Sequence, residues 1–286
     1  MKTNDNKILS HSVWNCKYHM TIQEYISVGE KEKPLDRIVT DGGFCGIFRK
    51  IACIGDSLSS GELESIKADG TKGFHDFFEY SWGQYIARST GATVYNFSRG
   101  GMTAKEYVES FAETMGYWDR GKACQAYIIA LGVNDITRHL NNELELGSVA
   151  DIDKSDYRNN AKTFVGYYAQ IIQRIKQIQP RAKIFLVSPL KHGDEKDEQR
   201  KLVRDLLKAI ANEFSRTYLL DMYTYAPLQD QEYNARFWLG HLTPMGYIVT
   251  ARMIESYIDY IIRKNPDDFK QVGFIGTELY YQPEEC

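Results

Sequence analysis

The sequence predicts a parallel α/β sandwich, a sheet covered by helices on both faces. Short apolar runs stand at 50–55, 92–96, 125–131, 182–188 and 217–221, each bounded by Gly, Asn, Asp or Pro. Stretches with helical spacing lie between them, and such alternation implies parallel strands joined by crossover helices. The run Tyr127-Ile128-Ile129-Ala130-Leu131 is apolar throughout, as a strand buried on both faces should be.

Taken in order, the first strand at 50–55 leads into a loop over 59–75 and a helix over 76–90. The second strand precedes a helix over 103–115. After the third strand, 141–158 is acidic and reads as loop. A helix over 159–179 carries Phe164, Val165, Tyr168, Ile171, Ile172, Ile175 and Ile178 at helical spacing and stops before Pro180. Helices are also predicted over 197–214 and 244–263. Residues 1–45 do not join the alternation and read as an extension packed on the domain formed by 46–286.

Composition narrows the partners. The net charge is −3 and the 35 Lys and Arg residues are scattered, so nothing favours a nucleic acid. No run approaches the roughly 20 apolar residues that span a bilayer. Met1 to Asn15 holds no apolar run of a secretory signal, so a cytoplasmic setting is expected. The five cysteines (Cys16, Cys45, Cys53, Cys124, Cys286) are odd in number and show no zinc-ligand spacing. Cys53 and Cys124, in apolar runs, read as buried thiols.

Chemistry-bearing residues collect at strand ends, where open parallel sheets bind ligands. The first strand ends Gly55-Asp56-Ser57, which alone also fits a helix cap. The second ends Asn96-Phe97-Ser98-Arg99-Gly100-Gly101, either a plain turn or a source of N–H groups for an anion. The third ends Gly132-Val133-Asn134-Asp135, where an Asn amide can donate to a developing oxyanion. The last helix is entered through Trp238-Leu239-Gly240-His241-Leu242-Thr243-Pro244, with a Thr cap and Pro at the first helical position. His75 and His192 lie in loops that could reach the same site.

These four blocks, in this order, resemble the SGNH, or GDSL, family of serine esterases and lipases over residues 48–262. The resemblance implies a flavodoxin-like three-layer sandwich with strand order 2-1-3-4-5. It also implies Ser57 as nucleophile, His241 as base, and an oxyanion hole from the Ser57 N–H, Gly101 (Gly100 the alternative) and Asn134. The expected chemistry is hydrolysis of carboxylic esters, with short acyl groups such as acetyl on a carbohydrate or small molecule, and no metal or organic cofactor. A weakly active or non-catalytic ligand-binding protein is the alternative. One position departs from the family: the acid expected three residues before the His is Trp238. A backbone carbonyl, Asp221, Asp230 or Glu232 are the candidates to orient His241 instead, and Trp238 is a candidate substrate wall.

Overall fold

The computed structural model describes residues 21, 22 and 26–274. Cys16, Cys286, His11 and His19 lie outside the described residues, as do the first twenty residues of the extension. The principal strands are β1 (Lys50–Gly55), β2 (Glu62–Ile66), β3 (Lys72–Asp76), β4 (Thr93–Asn96), β5 (Ala126–Ala130), β6 (Lys183–Val187) and β7 (Thr217–Leu220). Five of them form one parallel sheet in the order β4-β1-β5-β6-β7. Counted among the sheet strands alone, this is the expected order 2-1-3-4-5. Ile51 stands beside Val94 on one side and Ala126 on the other, which places β1 inside the sheet.

Five helices of eight or more residues accompany the sheet: α1 (Trp82–Thr90), α2 (Val133–Leu140), α3 (Phe164–Ile178), α4 (Asp197–Glu213) and α5 (Pro244–Lys264). Successive strand residues point to opposite faces, and the two cores follow this period. Ala52, Ile54, Tyr127 and Ile129 pack with Phe164, Tyr168 and Ile172 of α3 and Val203 and Leu207 of α4. Ile51, Cys53, Ile128 and Phe185 pack with Trp82 and Ile86 of α1 and Tyr247, Ile254 and Ile258 of α5. Cys53 and Cys124 are fully buried, as their apolar runs predict, and burial pushes the Cys124 thiol up to about 12.

Several elements differ from the sequence reading: α2 was not foreseen, and the helix expected from residue 159 begins at Phe164. The expected loop at 59–75 contains an antiparallel hairpin of β2 and β3, so the helix expected from residue 76 begins only at Trp82. Asp69-Gly70 makes its turn: Gly70 has a positive φ of 81°, and the Asp69 carboxylate accepts from the Thr71 N–H at 2.9 Å. The helix over 103–115 is also not regular, since Tyr107–Phe111 widens into a π-helical turn.

Residues 32–48 are tied to α5 by buried polar contacts. Arg263 donates to Asp259 Oδ2 at 2.8 Å and to Glu32 Oε1 at 2.6 Å, while Asp259 Oδ1 accepts from the Phe44 N–H at 2.9 Å. The Val39 N–H donates to Ser256 Oγ at 3.0 Å. Removing one partner of a buried ion pair leaves the other charge uncompensated. Asp259→Ala is therefore expected to destabilise the fold by about 3–5 kcal/mol in denaturant titration, and an unchanged midpoint would contradict this packing.

Asp135, at the start of α2, is fully buried and accepts from the Ala104 N–H at 3.0 Å, but its Oδ2 has no partner among the described residues. Burial raises its carboxyl to about 7, with the Ala104 hydrogen bond opposing. An unfolded Asp titrates near 3.9, so this group's contribution is full below about pH 4 and is lost as pH rises through about 7. The melting temperature of Asp135→Asn relative to the native protein should therefore rise from pH 5 to pH 8. The gain is expected at roughly 2–4 °C per kcal/mol relieved, and a pH-independent difference would contradict the buried, neutral carboxyl.

Candidate functional site

Ser57 opens a single helical turn, Ser57–Ser60, directly after β1. Asp56 caps that turn, its Oδ1 accepting from the Leu58 N–H at 3.0 Å. The Gly-Asp-Ser motif thus has the cap geometry that its composition suggests, and the cap fixes the backbone carrying Ser57. His241 lies in a two-residue ladder in which Trp238 faces Leu242 and Leu239 faces His241. Thr243 and Pro244 then start α5, with Thr243 Oγ1 accepting from the Gly246 N–H at 3.2 Å. These two strand-end turns bring His241 Nε2 to 3.1 Å from Ser57 Oγ.

The loop after β4 is pinned to the end of β1 by Phe97 N–H to the Cys53 carbonyl, at 2.8 Å, and Arg99 N–H to the Gly55 carbonyl, at 3.3 Å. Gly101 in this loop has a φ of 73°, a conformation that favours glycine. Among the described residues, the N–H groups of Ser57 and Gly101 donate to no protein acceptor. Gly100 differs, because its N–H points at Asp76 Oδ2, 3.5 Å away. Asn134 stands in the first turn of α2, and its amide is engaged: Nδ2 donates to the Met102 carbonyl at 3.1 Å and to Asp56 Oδ2 at 3.3 Å. Burial raises the Asp56 carboxyl to about 7, against the Leu58 hydrogen bond, which lowers it.

None of the proposed substitutes for the missing acid orients His241. Asp221 caps the next helical turn and lies 3.7 Å from Arg204, Asp230 caps Gln231–Phe237, and Glu232 pairs with Arg236 at 2.8 Å. No backbone carbonyl serves either: His241 Nδ1 is buried with no hydrogen-bond partner among the described residues. The carboxylate in contact with the ring is Glu62, whose Oε1 lies 3.4 Å from Nε2. Glu62 stands on β2 opposite Asp76 of β3, where the sequence reading expected a loop over 59–75 and a helix from residue 76. Burial raises the Glu62 carboxyl above the usual range; His241 lowers it, Asp76 raises it and His75 lowers it. Phe74, also on the hairpin, packs its ring 4.7 Å from that of His241. The Asp69-Gly70 turn between two short alternating runs was the sequence signal that could have found Glu62 and Phe74.

A cavity of about 120 Å³ is lined by Asp56 and Leu58, which flank Ser57 in the chain, and by Val133, Val187, Leu190 and Trp238, and its walls are mainly apolar. His192 also lines it, with its ring 6.5 Å from that of Trp238. Trp238 thus borders both this cavity and, with ring centres 6.4 Å apart, His241. His75 is carried on β3, its Nε2 buried and without a partner. Among the described residues no cluster of three His, Cys, Asp or Glu side chains is arranged to hold a metal ion, and no helix is long and apolar enough to cross a membrane.

The profile of the GDSL-like lipase/acylhydrolase family matches residues 53–248, a span that includes Ser57, Gly101, Asn134 and His241. No curated protein sequence is significantly similar to the chain. The structure is similar to that of a protein from Lactobacillus plantarum, with a TM-score of 0.54 at 15% identity over 74% of this chain and 97% of the other. A family two carbohydrate esterase from Clostridium thermocellum, solved with cellohexaose, gives a TM-score of 0.49 at 17% identity over 75% of this chain and 64% of that one. The acetyl xylan esterase AlAXEase gives a TM-score of 0.47 at 15% identity, over 73% and 99% respectively. The likeness to the Lactobacillus protein speaks to the fold alone. The family profile spans more than half of the chain, and the protein belongs to the GDSL-like lipase/acylhydrolase family.

Proposed function

We propose that the protein hydrolyses carboxylic esters through an acyl-enzyme on Ser57. The 3.1 Å contact between Ser57 Oγ and His241 Nε2 carries this reading. Ser57 Oγ attacks the ester carbonyl carbon while His241 Nε2 takes the hydroxyl proton. The carbonyl electron pair moves onto its oxygen, which faces the uncommitted N–H groups of Ser57 and Gly101. Asn134 joins them by releasing one of its two present acceptors. The tetrahedral species expels the alcohol, protonated by His241, and water then releases the acid by the same steps in reverse order.

A short acyl group, such as acetyl, on a carbohydrate or other small alcohol is the substrate class we favour. The apolar cavity of about 120 Å³ lined by the chain neighbours of Ser57 supports a small acyl moiety, since pockets for drug-sized ligands run to roughly 300–1,000 Å³. A second reading, a ligand-binding protein with weak chemistry, is favoured by the orphaned His241 Nδ1, because an imidazolium there leaves a buried N–H unpaired.

Ser57→Ala and His241→Ala are each expected to lower kcat on a small aryl acetate by about 10⁶-fold, with unchanged melting temperature. Full activity in Ser57→Ala would overturn the assignment. Asn134→Ala should cost about 10²–10³-fold in kcat with little change in KM, and an equal loss confined to KM would place Asn134 in substrate binding. Across a series of p-nitrophenyl esters, kcat/KM should be highest for the short chains, and a maximum at long chains would exclude the favoured substrate class.

A further inference from the structure

The hairpin of β2 and β3 places a second carboxylate, Glu62, against the base, and the arrangement around it is built. Its backbone carbonyl accepts from the Tyr247 hydroxyl at 2.7 Å, which ties β2 to α5. Its carboxylate lies over Gly100, where an added Cβ would come within 2.3 Å of Oε2. A side chain at position 100 would therefore displace it. The Glu62 side chain is only 16% exposed and that of His241 21%, so solvent screens the pair little.

We propose that Glu62 replaces the absent acid of the family pattern as a charge partner that acts through His241, from the Nε2 side. This rests on the reading of Ser57 as nucleophile and His241 as base. When Ser57 Oγ bonds to the carbonyl carbon, its proton passes to Nε2 and the ring gains one positive charge. That proton then lies between Ser57 Oγ at 3.1 Å and Glu62 Oε1 at 3.4 Å. The Glu62 carboxylate stays ionised and stabilises the cation without taking the proton, which His241 later returns to the leaving alkoxide. An acid on the other ring nitrogen would orient Nδ1–H as well, and here Nδ1 has no partner. Glu62 thus supplies the electrostatic part of the acid's role and not the orienting part, which falls to the Phe74 ring and the Trp238–Leu242 ladder. The ionisable groups facing Glu62 are His241, Asp76 and His75, with the Tyr247 hydroxyl at its backbone.

The test is the pH dependence of Ser57 labelling by a serine-directed phosphonate, read beside kcat on an aryl acetate, in the native protein and in Glu62→Gln. Glu62→Gln should lower both rates by about 10- to 100-fold, less than the roughly 10⁴-fold cost of losing the acid of a protease triad, and move the acid limb of both profiles to lower pH. Rates equal to or above native at every pH would overturn the proposal and make Glu62 a competitor of Ser57 for Nε2. Labelling of Ser57 in both proteins would leave the nucleophile assignment standing in that case. Failure of the native protein to label at Ser57 would overturn the nucleophile and this proposal with it. Should Glu62→Gln fail to fold, Gly100→Ala, which pushes the carboxylate aside, should shift the acid limb in the same direction; an acid limb unmoved by it would equally count against Glu62.

Discussion

The contact between Ser57 Oγ and His241 Nε2 joins residues 184 positions apart in the chain, and the fold is arranged around it. Ser57 stands at the carboxyl end of β1, inside the sheet, and His241 at the entrance to α5, which is buried along its length against the same sheet face. Each end is fixed by a side-chain cap, Asp56 on one turn and Thr243 on the other. A 3.1 Å contact between side chains on two turns survives only if neither turn can drift, and capped turns on buried elements meet that condition.

Burial that fixes the site also sets its electrostatics. Asp56 and Asp135 bracket Asn134 in the structure and are both nearly water-free, with carboxyls raised to about 7. Burial disfavours the charged form of both, where the first turn of α2 packs on the Ser57 turn. Burial raises the Glu62 carboxyl as well, and His241, 3.4 Å away, opposes that shift.

Much of this was legible in the sequence, for reasons that differ by element. The inner strands β1, β5 and β6 are apolar on both faces, and their runs stand out against polar turns. Ser57 and His241 announce themselves through turn chemistry: a Gly-Asp-Ser strand end and a Thr-Pro helix entry. Glu62 was not legible, because the hairpin carrying it is short and mostly half-exposed, with Glu62, Glu64 and Asp76 among its residues, and reads as a polar loop. The absent partner of Nδ1 was half legible. Trp238 showed that the expected acid is missing, but proximity in sequence pointed to Asp221, Asp230 and Glu232, whose side chains cap helices or pair with arginines. The replacement came from 179 residues upstream, through a contact that only the three-dimensional packing reveals.

The central claim is that an acyl group is carried on Ser57, activated by His241. Its most direct test is mass spectrometry of the protein quenched during turnover of a slowly hydrolysed ester. An acyl mass increment is expected on the peptide holding Ser57, and its disappearance in His241→Ala. Sustained ester hydrolysis with no increment on Ser57, or with the increment on another residue, would contradict it.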